Sequence, residues 1–284
     1  MSSLAAAEPA RAPAVSRARP AARRVAFAVA IWLSVALALG FLVLPVLAIF
    51  VNTTPARLIA SLNSAESLDA LRLSLETTTI ALAIIVVVGT PAAYLLGTRR
   101  FRGHTAMLTL IELPLVLPPA VAGIGLLAAL GPRGVLGGTL RDLHIALVLQ
   151  TAGVVVALVF VAAPFYLRQA QAAFATIERT HLEAAFTMGA SRAKAFVHVA
   201  IPLARPALIA GLALAWARAF GEFGATLMFA GSFQGITQTA PLAIYDEFAS
   251  NFSGALALSG LLVIVSGSLL LAIKLAFARA QPPM

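Results

Sequence analysis

No cysteine occurs among the 284 residues, which rules out disulfides, thiolate metal sites and cysteine nucleophiles and leaves the redox compartment open. Charge is nearly as scarce: Asp, Glu, Lys and Arg make up 11% of the chain, against 61% hydrophobic residues. That is too little polar surface to cover a water-soluble globule of this length, and a mean hydropathy of +0.96 places most of the chain in lipid. The sequence contains no GxxxxGK(S/T) phosphate-binding loop, no HExxH, and no pair of aspartates or of serine and histidine within an apolar run. Neither nucleotide hydrolysis nor intramembrane proteolysis is therefore expected of it. His104, His144, His181 and His198 lie at the ends of apolar runs or between them, which speaks against a membrane haem subunit. No short repeat and no similarity between the two halves is visible.

What the chain does have is uncharged length. The 16 prolines and 20 glycines do not count against helix, because membrane helices tolerate both when neighbours re-satisfy the freed backbone groups. Runs such as IALAIIVVVG lack the alternation that a barrel lumen demands. The expected fold class is all-α: a polytopic membrane protein of about six transmembrane helices, at residues 25–51, 74–98, 106–130, 143–167, 203–231 and 252–274. These form one permease domain, 25–279. Residues 1–24, composed largely of Ala, Pro, Ser and Arg, are expected to be a disordered basic tail, and residues 280–284 a short cytoplasmic end.

Orientation follows from where the cations lie. With the N-terminus inside, fifteen of the 20 Lys and Arg residues fall on cytoplasmic segments, all but Arg57, Arg72, Arg133, Arg141 and Arg218. Both termini are then cytoplasmic, in the cell inner membrane. The net charge of +9 is accounted for by topology, and no nucleic-acid partner is expected.

The cytoplasmic loop 177–202, between spans four and five, carries the most specific local chemistry. Thr180 followed three residues later by Glu183 has the form of a capping box, so a short helix is predicted to start there. Leu182, Ala185, Phe186 and Gly189 share one face, Gly189 suits a left-handed C-terminal cap, and Ser191 can cap a second helix before Pro202 opens span five. Two short helices meeting at a glycine make either a projecting knob that docks on a partner or an amphipathic hairpin lying on lipid.

The string EAAFTMGASRAKAFVHVAIP resembles the EAA loop of binding-protein-dependent ABC importer permeases, with Glu183, Ala184, Ala185, Gly189, Val199, Ile201 and Pro202 on the motif positions. Val199 and Ile201 stand where the motif usually has Ile and Leu. The resemblance covers roughly Leu71 to Lys274. Within the family, the segments ELPLVLPPAVAGIG, ALVFVAAPFYLR, ARAFGEFGATLMFAG and TQTAPLAIY are more similar to the molybdate and tungstate type than to the sulfate type. It implies a type I importer permease for a tetrahedral oxyanion, most simply molybdate, that is not itself an enzyme. Glu183, Ala184, Ala185, Gly189, Ser191, Arg192 and Pro202 would couple to a separate ATPase. The implied partners are a second permease copy, an ATPase subunit dimer and an external oxyanion-binding protein. This chain would bind no cofactor or metal, ATP and Mg²⁺ belonging to the ATPase.

A pathway for a divalent oxyanion must offer hydrogen-bond donors without binding the ion tightly. Thr77, Thr78, Thr79, Thr90, Gln150 and Thr151 are polar positions in or near spans, although threonine there often bonds only its own backbone. Pro118, Pro119, Gly123 and Gly125 should kink span three and let another helix approach, either as a gate or as plain packing. In ARAFGEFG, Arg218 and Glu222 are four apart and suited to an ion pair, flanked by Gly221 and Gly224. They are intramembrane if span five reaches residue 231 and interfacial if it ends near Ala219. Asp246 and Glu247, outside, suit docking of a carrier protein or a solvated interfacial helix. A secondary anion transporter is the rival reading; its ion coupling would need an intramembrane carboxylate, for which Glu76, Glu112 and Glu222 are the candidates.

Overall fold

The computed structural model describes residues 18–280, and every regular element among them is helical. It falls into two units, residues 1–51 and 52–284. The first contributes one helix, α1 (Ala18–Val51), uncharged from Val25 onward and carrying Pro45 internally. It begins inside the stretch predicted to be a tail, whose earlier residues lie outside those described, as do 281–284.

The second unit opens with α2 (Pro55–Asn63), where the Thr54 hydroxyl accepts the amide of Arg57 and Pro55 takes the first turn. Ser64 then caps α3 (Ala65–Thr98) by accepting the amide of Ser67 at 3.2 Å. After the turn at Gly103, α4 (His104–Val116) begins with a buried His104 whose Nε2 lies 2.7 Å from the Leu96 carbonyl. α5 (Pro119–Leu130) follows at a bend of 116°. The cause is local: Leu117 and Pro118, each preceding a proline, are held extended with ψ of 132° and 137°.

A short α6 (Gly137–Asp142) precedes α7 (Thr151–Ala175). The uncharged run predicts the fourth span at 143–167, and the helix is displaced from it toward the C-terminus. Two left-handed residues, His144 and Leu149, break the backbone before Thr151. Arg168, which sets the end of the uncharged run, does not end the helix, since charge limits a membrane span and not backbone hydrogen bonding.

α8 (Arg179–Thr187) and α9 (Arg192–Ala195) form the loop; a π turn at Phe196–Ala200 joins α9 to α10 (Ile201–Phe220) without interruption. α11 (Gly224–Ala230), α12 (Ala240–Ser250) and α13 (Phe252–Ala280) complete the chain. Span five is therefore not one helix over 203–231, because Gly221–Phe223 interrupts it. Among the described residues, five helices are long and apolar enough to cross a membrane, six if the bent α4–α5 pair counts as one.

α3, α7 and α10 share the main core, which includes Ile85, Leu158, Tyr166, Phe174, Trp216 and Phe220. Without a hydrophobic drive between helices in lipid, close approach depends on small residues. A Cβ on Gly97 would sit 2.7 Å from the Gln171 carbonyl, and one on Gly211 2.9 Å from the Gln169 Cβ. Thr90 and Tyr166 share a 2.7 Å hydrogen bond across the same interface, and the Ser74 hydroxyl accepts the Ala240 amide at 2.8 Å, tying α3 to α12.

Candidate functional site

The loop between α7 and α10 is built as a rigid reversal. Gly189 is left-handed at φ +82°, its amide donates to the Phe186 carbonyl at 3.0 Å, and the Ala190 amide reaches the Ala185 carbonyl at 2.9 Å. These two bonds are the Schellman pair that closes a helix C-terminus. The Ser191 hydroxyl then accepts the Lys194 amide at 3.3 Å, starting α9 at once. Pro202 sits in the first turn of α10.

The capping box does not form. The cap lies two residues earlier, at an extended Glu178, so Thr180 is already helical and its hydroxyl donates to the Glu178 carboxylate at 3.3 Å. The apolar face also divides. Ala185 is buried and Leu182 is half-buried against the main core, whereas Phe186 and Met188 are 43% and 82% exposed. The knob is thus anchored on one side and presents apolar surface on the other, with Glu183, Ala184 and Arg192 exposed beside it.

From Arg192 to Phe220 the helix is unbroken over 29 residues, a rod of roughly 43 Å at 1.5 Å per residue. Its far end is the second notable feature. Glu222, 2% exposed, pairs with Arg218 through one carboxylate oxygen, and the other accepts the Ala225 amide at 2.7 Å. One buried acid thus pairs with the last turn of α10 and accepts an amide from the first turn of α11, bridging the break.

The two interruptions, at 117–118 and 221–223, lie against one another. A Cβ on Gly224 would meet the Pro119 Cβ at 2.9 Å, and one on Gly123 would meet the Ala225 carbonyl at 2.6 Å and the Met228 Cβ at 2.7 Å. So Pro118, Pro119, Gly123, Arg218, Gly221, Glu222 and Gly224 are brought together at the two breaks. Gly125 is not: nothing lies within 4 Å of a Cβ there, and Gly221 is likewise roomy, at 3.6 Å from its own helix carbonyl. Ala225 and Met228 join the site unannounced, since neither carries polar or conformational signal.

The polar residues sort by partner. Thr77 and Thr79 donate to Leu73 and Leu75 carbonyls at 2.7 Å, the backbone bonding that threonine favours in lipid. Thr151 instead donates to the Ile236 carbonyl at 2.8 Å, Gln150 occupies the cap position of α7, and the buried Thr78 hydroxyl has no partner among the described residues. Asp246 accepts from Ser232 at 2.9 Å and from Gln238 at 2.6 Å, so it organises the segment between α11 and α12 as well as charging it. Each of the three intramembrane carboxylate candidates is held by an arginine: Glu76 by Arg72, Glu222 by Arg218, and Glu112 by Arg168. The last pair, joining α4 to α7, has no signal in the sequence. No group of three or more His, Asp or Glu converges on a metal-sized site among the described residues.

Residues 89–281 match the family model of the binding-protein-dependent transport system inner membrane component. The molybdenum transport system permease protein ModB of Mycobacterium bovis is 39% identical over 233 residues, 82% of this chain and 88% of that protein. That of Azotobacter vinelandii is 38% identical, over 74% of this chain and 94% of its own length. A probable sulfate transport system permease protein, cysT of Nephroselmis olivacea, is 32% identical over 73% and 74% of the two chains. Among solved structures, the bacterial ABC transporter that imports the acidic polysaccharide alginate superposes with a TM-score of 0.74 at 17% identity, over 94% of this chain and 100% of that one. The alginate transporter in complex with its pentasaccharide-bound periplasmic protein gives 0.70 at 17% identity, covering 90% and 93%. Sequence and fold agree, and the chain belongs to the binding-protein-dependent transport system inner membrane component family of ABC importer permeases.

Proposed function

We propose that this chain is the membrane subunit of an ATP-driven molybdate importer, two copies of which form the pathway above an ATPase dimer. The observation that carries the cargo is the 39% identity, over 88% of its length, to a permease named for molybdenum transport, against 32% to one named for sulfate. Tungstate, of the same geometry and charge, shares the pathway. The exposed Phe186–Met188 end of the loop seats in the ATPase, which binds ATP and Mg²⁺, and a binding protein delivers the oxyanion from outside. The basic segments, including the loop, face the cytoplasm.

In this reading the rod from Arg192 to Phe220 carries displacement of the loop to the break at Gly221. There the Arg218–Glu222 pair and the Glu222 cap on α11 hold the crossing of the two interrupted helices. Glu76 is exposed and Glu112 half-buried, each paired with an arginine, and Glu222 pairs with Arg218 and accepts the Ala225 amide; these structural roles disfavour the secondary-transport alternative. The test is reconstitution with the ATPase subunit and an oxyanion-binding protein. Molybdate-loaded carrier should stimulate ATP hydrolysis and uptake more than sulfate-loaded carrier does. Uptake driven by membrane potential in the absence of ATP refutes the proposal.

A further inference from the structure

Behind the α8–α9 reversal lies an open cavity of about 480 Å³, lined in part by the coupling residues Glu183 and Arg192 and in part by the ends of α3 and α7. Arg99, Arg100, Arg179 and Arg192 line it, all exposed, and none of them is in an ion pair among the described residues. Its inner wall is Tyr94 and Phe174, edge-to-face at 5.3 Å. Tyr94 lies in the last turns of α3 and Phe174 in the last turn of α7, where Gly97 lets the two helices touch. Four cations in no ion pair, set around an aromatic wall at the level where two membrane helices end, fit a phosphate group whose attached chains run along lipid-facing helix. Glu183 also lines the cavity and offsets part of this charge, which leaves the four guanidinium groups in excess by three.

We propose that this cavity binds the phosphate of an anionic phospholipid from the cytoplasmic leaflet. A free tetrahedral oxyanion offers the same chemistry, but the position at the span ends favours the lipid. The inference rests on the cytoplasmic placement of the loop proposed above. Its test is native mass spectrometry of the intact complex with its ATPase subunit in neutral detergent, titrated with phosphatidylglycerol, with phosphatidylcholine, or with inorganic phosphate. Phosphatidylglycerol should be retained and phosphatidylcholine should not, and millimolar phosphate should fail to displace the lipid. Each arginine near an anionic surface contributes roughly fivefold, so R99Q/R100Q/R179Q should weaken retention about a hundredfold and R100Q alone about fivefold. The single variant serves if the triple one does not assemble. Unchanged retention in R100Q and in the triple variant overturns the proposal, as does displacement by phosphate, which makes the occupant a soluble anion. Protection of the arginines from a guanidine-modifying reagent by the ATPase subunit alone, without lipid, also overturns it. Binding is read without transport, so a wrong cargo assignment, detected separately by carrier-stimulated ATP hydrolysis, leaves this outcome unaffected.

Discussion

The Arg218–Glu222 pair should behave asymmetrically when cut. The Glu222 side chain is 1% exposed and that of Arg218 28%. R218Q leaves a carboxylate sealed in apolar surroundings with only the Ala225 amide as partner, and stranding one member of a buried pair costs about 3–5 kcal/mol. E222Q leaves an arginine that still reaches solvent, while the amide oxygen of the new side chain keeps the cap on α11, so its cost should be about 1–3 kcal/mol. R218Q/E222Q strands no charge and should be milder than R218Q alone, with a coupling of about 1–3 kcal/mol. The assay is denaturant unfolding of the four proteins in one detergent, alongside carrier-stimulated ATP hydrolysis in proteoliposomes. E222Q should also lower the ratio of transport to hydrolysis, because the cap that fixes the break has lost its charge. Additive single effects, within about 0.5 kcal/mol, together with unchanged coupling in E222Q, would refute both the buried-pair energetics and the gating role.

Three further substitutions probe the same architecture. Gly189→Ala meets nothing within 4 Å but forces an L side chain into φ +82°, so it should cost about 1–2 kcal/mol locally and raise the ATP hydrolysed per oxyanion imported without blocking assembly. Gly123→Ala drives a methyl into the Ala225 carbonyl and should destabilise by about 1–3 kcal/mol, whereas a Cβ at Gly125 has nothing within 4 Å beyond its own helix; thermal unfolding of the two variants separates them. Tyr166→Phe removes the 2.7 Å bond to Thr90 and should lower unfolding stability by about 0.5–1.5 kcal/mol with coupling intact, since Thr90 still donates to the Val86 carbonyl at 2.6 Å.

Features set by near neighbours along the chain are legible in the sequence. The left-handed Gly189, the Ser191 cap and the position of Pro202 all follow from backbone preferences within a few residues. Pro118 and Pro119 likewise announce the break, at which the chain bends by 116°. The Arg218–Glu222 pair is visible at helical spacing, but its second function is not: the cap on α11 exists only because the helix stops at Phe220. The Arg168–Glu112 pair spans 56 residues and the Ser74–Ala240 bond 166, separations at which residue type carries no information about contact. Span four is displaced for a related reason, because hydropathy marks where lipid is and not where the backbone turns helical.

The most direct test of the mechanical account uses the absence of native cysteine. A single M188C, on the 82% exposed end of α8, carrying a benzophenone label, should photo-cross-link to the ATPase subunit in the assembled complex. Yield should change between nucleotide-free and ATP-bound states, as a lever between an ATPase and the break at Gly221 requires. Cross-links to lipid alone, with none to the ATPase in either state, would contradict the account.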